Sequence, residues 1–273
     1  MHKLGMHEVT TLNWSFEEDV RGYARAGYDA IAVVVDGRFP QKLLSTPLEH
    51  AKQLLQETNL KVSSVNAAAL YDLDENRKPL PQLERARQRI DLTRDLNAEE
   101  LLIVFGPGAY QDLQQAWQLG RQLLREILPY AEEQGVILSI ETLHPLYMPD
   151  WSICNTIQET LEVLDEFPSP NLGIFLDLYH IWWHRDVFQL IEQCRGRIHG
   201  VHLNDWRFET RHPLSDRTIP GEGIAPVREI CQAIEAAGFN GTWDIEIFSE
   251  ELWAADYDDV LSRCKEAFEN IWR

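Results

Sequence analysis

The apolar positions of this chain fall into short runs separated by longer stretches of helical spacing. Residues 30–35 read Ala-Ile-Ala-Val-Val-Val, a continuous apolar run rich in β-branched side chains. That is the pattern of a strand covered on both faces, as in a parallel sheet. Comparable runs occupy 4–12, 61–67, 100–105, 136–141, 172–177, 197–203 and 242–248. Between them, apolar residues three and four apart predict helices over 16–26, 47–59, 83–96, 114–134, 157–167, 187–194, 226–237 and 259–272. Glu17, Glu18 and Asp19 suit the positive end of the first helix, and Gly27 suits its C-terminal stop. Strand followed by helix, eight times and without a composition break, predicts an α/β fold. It is read as a single (β/α)8 TIM barrel over residues 1–273. A dinucleotide-binding sheet would place a Gly-x-Gly-x-x-Gly turn after the first strand, where this chain has Asn13-Trp14-Ser15.

In such barrels the chemistry sits at the C-terminal ends of the strands. The fifth strand ends in Glu141, followed by Thr-Leu-His144-Pro145. A carboxylate closing a buried strand needs a partner, because burying it unpaired costs several kcal/mol. Three later strands repeat the pattern. The sixth ends in Asp177 with His180 beyond it, the seventh offers His199 and His202 and then Asp205, and the eighth offers Asp244 and Glu246. His202 and Glu246 are preferred because each lies nearer the strand's C-terminal end. Three carboxylates brought together without a cation would force large pKa shifts, so their convergence implies a bound metal. Two Glu, one Asp and one His make an oxygen-rich set. It suits Mn²⁺ first, with Mg²⁺, Co²⁺ or Zn²⁺ as alternatives, and is less typical of a closed structural Zn²⁺ site.

Other residues beyond the strand ends are candidates for substrate contact. His180 follows Asp177, Asn66 closes the third strand, and Arg217 lies in the long loop after the seventh, where a solvated arginine is the alternative. Trp14 and Trp182 could form a wall for a saccharide or serve in packing. His144 could act as a general acid or base, or simply pack in its loop. Gly221-Glu222-Gly223 is either an anion cradle or a plain turn.

The net charge of −19 argues against a nucleic-acid partner. Four widely spaced cysteines predict reduced thiols. The N-terminus has no signal-like apolar segment, and no run approaches membrane-spanning length, so a cytoplasmic protein without membrane attachment is expected.

The ordered set Glu141, Asp177-x-x-His180, His202-x-x-Asp205 and Glu246 resembles the xylose-isomerase-like sugar phosphate isomerase/epimerase superfamily, over nearly the whole chain. The resemblance implies one divalent cation held by Glu141, Asp177, His202 and Glu246. It also implies isomerisation or epimerisation of a small keto-sugar or sugar phosphate through an enediolate, with Glu141 and Glu246 as acid and base. The runner-up is a metal-dependent lyase, dehydratase or deglycosidase using His144. The non-enzyme alternative is a sugar-binding subunit of a complex. The implied partner is a small carbohydrate, with room for a homo-oligomer or a partner subunit. DNA-repair endonucleases of the superfamily carry additional histidines where this chain has Asn66, Phe105-Gly106 and Thr218.

Overall fold

The computed structural model describes residues 2–35, 39–108 and 112–273. At its centre is a closed barrel of eight parallel strands. They are β1 (Lys3–His7), β2 (Ala30–Val34), β3 (Lys61–Ala69), β4 (Glu100–Val104), β5 (Leu138–Glu141), β6 (Leu172–Asp177), β7 (Ile198–Leu203) and β8 (Thr242–Ile245). Each pairs with its neighbours in chain order, and β8 closes on β1 with Lys3 opposite Thr242 and Met6 opposite Ile245. Helices on the outside alternate with the strands: α1 (Phe16–Ala26), α2 (Leu48–Thr58), α3 (Leu83–Asp95), α4 (Leu113–Gln134), α5 (Ile157–Glu166), α6 (Val187–Gln193), α7 (Val227–Ala236) and α8 (Tyr257–Ile271). The eight-fold alternation read from the sequence is therefore the architecture.

Local chemistry sets the helix ends. Ser15 and Glu18 form a reciprocal capping box at the start of α1, and Gly27 ends that helix with φ 78°. Thr156 and Glu159 do the same for α5.

Most boundaries shift by one or two residues; the third strand runs on past Asn66 to Ala69, and larger departures lie at the first strand, the eighth strand and the stretch after β3. The first strand stops at His7 rather than at residue 12, because polar side chains capture the backbone beyond it. Lys42 Nζ donates to the carbonyls of Glu8 and Thr11 at 3.0 and 2.9 Å and to Asp19 Oδ2 at 2.6 Å. At the end of β8, Thr10 Oγ1 bonds the Ile245 carbonyl and accepts the Ile247 amide, so the eighth strand ends at Ile245. The polar stretch after β3 forms an antiparallel hairpin, Tyr71–Leu73 with Pro79–Pro81. Its turn is closed by Asp74 Oδ1 accepting the amides of Asn76 and Lys78.

The barrel interior is not wholly apolar. Glu100 accepts a hydrogen bond from Ser139, and Asp244 accepts one from Ser63 at 2.7 Å. Glycines on other strands leave them room: a Cβ at Gly5 on β1 would collide with Asp244, and one at Gly200 on β7 with Glu100 across the barrel. Burial pushes each acid up to about 8, which favours its protonated form. This layer forms the floor beneath the rim site.

Candidate active site

The C-terminal rim gathers a ring of buried ionisable groups. Glu141 ends β5, Asp177 ends β6, His202 is the fifth residue of β7, and Glu246 follows β8. His202 Nδ1 lies 3.8 Å from Glu141 Oε1 and 3.5 Å from Glu246 Oε1. Glu141, Asp177 and His202 each offer a ligand atom, and these atoms lie within 4.8 Å of one another. Both His202 ring nitrogens are buried without a hydrogen-bond partner. An orphaned imidazole facing three carboxylates is a donor set that fits a divalent cation. The choices of His202 over His199 and of Glu246 over Asp244 agree with this placement. His199 packs beside Gly173 near the start of β6, and Asp244 belongs to the interior layer.

Electrostatics tie the ring together. Burial raises the Glu141 carboxyl well above its usual range, and the charges of Glu246 and Asp177 add to that. Burial likewise takes Glu246 up to about 8, with Arg217 opposing. Burial also presses Asp177 upward, but Arg217, His180 and His202 outweigh it and hold Asp177 well below the carboxylate range. Desolvation keeps His202 and His180 neutral, each lowered to about 3. One rim carboxylate is thus firmly ionised, while burial shifts its two glutamate neighbours toward the protonated form.

Arg217 is the site's internal counter-charge. Its Nη1 donates to Asp177 Oδ2 at 2.9 Å and to Glu246 Oε2 at 2.6 Å. The guanidinium lies 4.3 and 4.4 Å from the ring centroids of Tyr179 and Phe248. It is 1% exposed, which rules out the solvated-loop alternative. Asp177 is oriented from its other oxygen, which accepts the Tyr179 amide at 2.8 Å and Asn204 Nδ2 at 2.7 Å.

A cavity of about 190 Å³ opens over this ring, and His180, Arg217 and Asn66 line it with Glu141, His202 and Glu246. Three sequence candidates stand elsewhere. His144 caps the short turn Pro145–Tyr147, its Nδ1 accepts the Leu146 amide at 3.1 Å, and its ring packs on Trp183 and Trp206 outside the cavity lining. Trp14 packs over Gly22 and against Tyr23 and Tyr257, between α1 and α8. Trp182 packs against Trp206. In all three the ring is held by neighbouring aromatic or helix surface, and none lines the cavity. The Gly221-Glu222-Gly223 turn does hold an anion, but an internal one: the amides of Gly221 and Gly223 both donate to Asp205 Oδ2 at 2.9 Å.

The sequence reading missed His7. It is buried at the end of β1, with Nε2 at 3.4 Å from Glu246 Oε1, and it lines the cavity. Its signal was present, a histidine at a strand end, but the apolar and threonine-rich run through residue 12 carried the predicted strand past it.

The xylose isomerase-like TIM barrel family model matches residues 20–267. The chain belongs to that family. Among relatives of this TIM barrel, the inosose isomerase of Halalkalibacterium halodurans is 21% identical over 97% of this chain and 94% of its own. The ketose 3-epimerase of Arthrobacter globiformis is 23% identical over 99% and 90%. A crystal structure described as IOLI protein with a bound zinc atom superposes with a TM-score of 0.84 at 20% identity, covering 98% of this chain and 97% of that one. No helix among the described residues is long and apolar enough to cross a membrane.

Proposed function

We propose that this protein is a divalent-metal-dependent isomerase or epimerase of a small keto-sugar, acting through an enediolate of the substrate. The observation that carries the reading is the placement of Glu141 and Glu246 about one imidazole, each within 4 Å of His202 Nδ1, at the base of an open cavity. Two glutamates from strands three apart around the barrel can face a small substrate from two sides. The names of the family relatives, an inosose isomerase and a ketose 3-epimerase, support the same class of reaction.

Glu141, Asp177, His202 and Glu246 would hold the metal, and Mn²⁺ is the ion we propose. When bound, the cation supplies charge stabilisation to a carbonyl and its neighbouring hydroxyl. This chain's residues do the rest. One of Glu141 and Glu246 takes the carbon-bound proton and the other returns one, both carboxyls being raised by burial above the usual carboxylate range. Arg217 fixes the position of Glu246, and His180 and Asn66 present polar atoms to the substrate's oxygens. The elimination reading depended on His144, whose place outside the cavity lining removes its support. A cytoplasmic setting belongs to the same proposal and accords with four buried free thiols.

The test is a panel of free and phosphorylated ketoses and inososes, assayed with the metal-stripped and the Mn²⁺-reconstituted protein. Interconversion of at least one substrate that depends on added metal supports the proposal. Turnover that survives complete metal removal would sink it.

A further inference from the structure

We infer that His7 is a neutral hydrogen-bond donor to a substrate oxygen, and not a ligand of the metal. The inference rests on the keto-sugar reading above. His7 ends β1 and is 2% exposed. Its Nδ1 accepts the backbone amide of Val9 at 3.2 Å. A ring nitrogen that accepts a hydrogen bond carries no proton, so the proton of the neutral imidazole sits on Nε2. That Nε2 is buried and has no hydrogen-bond partner, although the ring lines the cavity. Buried donors are almost always satisfied, so an orphan aimed into a cavity marks where a ligand's acceptor goes.

Distance by itself would admit another role. His7, His202 and Glu246 each offer an atom within 4.8 Å of the others, so a cation could be drawn between them. Ligation through Nε2 would require that nitrogen to give up its proton. The proton would then sit on Nδ1 and meet the Val9 N–H head-on. The amide of Val9 therefore selects the tautomer that donates. The ring stands edge-on to His202, with centroids 5.2 Å apart, and its Nε2 is 3.4 Å from Glu246 Oε1. A substrate oxygen beside the carbon that exchanges its proton with Glu246 is thus within reach of a neutral N–H. Negative charge grows on that oxygen as the carbon-bound proton leaves, and a preorganised neutral donor stabilises it there.

Two measurements test the assignment. Imidazole ¹⁵N NMR of the Mg²⁺-loaded protein should show His7 as the Nε2–H tautomer; an Nδ1–H tautomer or a metal-shifted Nε2 would overturn the inference. The second compares His7→Phe and His7→Gln for solvent deuterium exchange into a ketose that the wild type exchanges, alongside metal content. His7→Phe should keep one metal per chain and lose about 10²-fold in exchange rate, the effect of deleting one such donor. His7→Gln, whose amide N–H reaches to about the same place, should recover most of that loss. Loss of metal from His7→Phe would make His7 a ligand, and unchanged exchange would leave it without the role. If the wild type exchanges no ketose, the keto-sugar reading fails, and the donor assignment then stands or falls on the tautomer.

Discussion

Replacing Arg217 by Met probes how the rim carboxylates are held. The guanidinium bridges Asp177 and Glu246 at 2.9 and 2.6 Å, all three side chains are buried, and two aromatic rings flank it. Removing one partner of a buried ion pair typically costs about 3–5 kcal/mol, because the other charge is left without compensation. A chain of 273 residues shifts its melting temperature by about 2 °C per kcal/mol. Differential scanning calorimetry of metal-stripped protein should therefore place Arg217→Met about 6–10 °C below the wild type. A divalent cation offers the same carboxylates a substitute counter-charge, so added Mn²⁺ should raise the melting temperature of the variant more than that of the wild type. Arg217→Lys should fall between the two, since an ammonium restores charge without the planar fork. A metal-free shift under 2 °C, or an equal Mn²⁺ increment in both proteins, would refute the view that Arg217 is the internal counter-charge.

Further outcomes follow from the same geometry. Glu246→Gln and Glu141→Gln should each lower turnover by at least 10²-fold, measured as ketose interconversion at saturating metal. His144→Ala should stay within about threefold of wild type in the same assay, because its Nδ1 serves the Leu146 amide and its ring packs outside the cavity lining. Glu100 has its folded-state pKa raised from 4.5 to about 8 by burial, so the folded chain binds a proton that the unfolded chain releases. Its stabilising contribution is complete below about pH 4.5 and is lost as pH rises toward 8, at up to about 1.4 kcal/mol per pH unit. Urea unfolding from pH 5 to 8 should show a flatter pH dependence in Glu100→Gln than in the wild type. Gly200→Ala would drive a methyl group into Glu100 and the Phe175 ring, which packs on His202, and should lower both stability and metal retention.

The barrel was legible because apolar runs and helical spacing alternate eight times, and the cluster of rim side chains was legible because four successive strands end on a Glu, Asp or His. What the sequence hid is three-dimensional pairing. Arg217 sits in a long loop, and nothing in its neighbours says that its guanidinium crosses to Asp177 on β6 and to Glu246 beyond β8. His7 was masked because the strand's end depends on Lys42, a residue 35 positions later in the chain, taking backbone carbonyls that a longer strand would have used. Trp14 and Trp182 show the opposite error. Position after a strand suggested the cavity, while their contacts with α1, α8 and Trp206 turn them into packing. The Gly221-Glu222-Gly223 turn carried a real anion signal, satisfied by the chain's own Asp205.

The most direct test of the account is solvent exchange at carbon. Protein reconstituted with Mn²⁺ is incubated with a ketose or inosose in D₂O, the metal is removed, and the sugar is read by NMR. The account predicts deuterium at a carbon adjacent to the carbonyl, dependent on metal and abolished in Glu246→Gln. Absence of exchange into every keto-sugar shown by calorimetry to bind would contradict it.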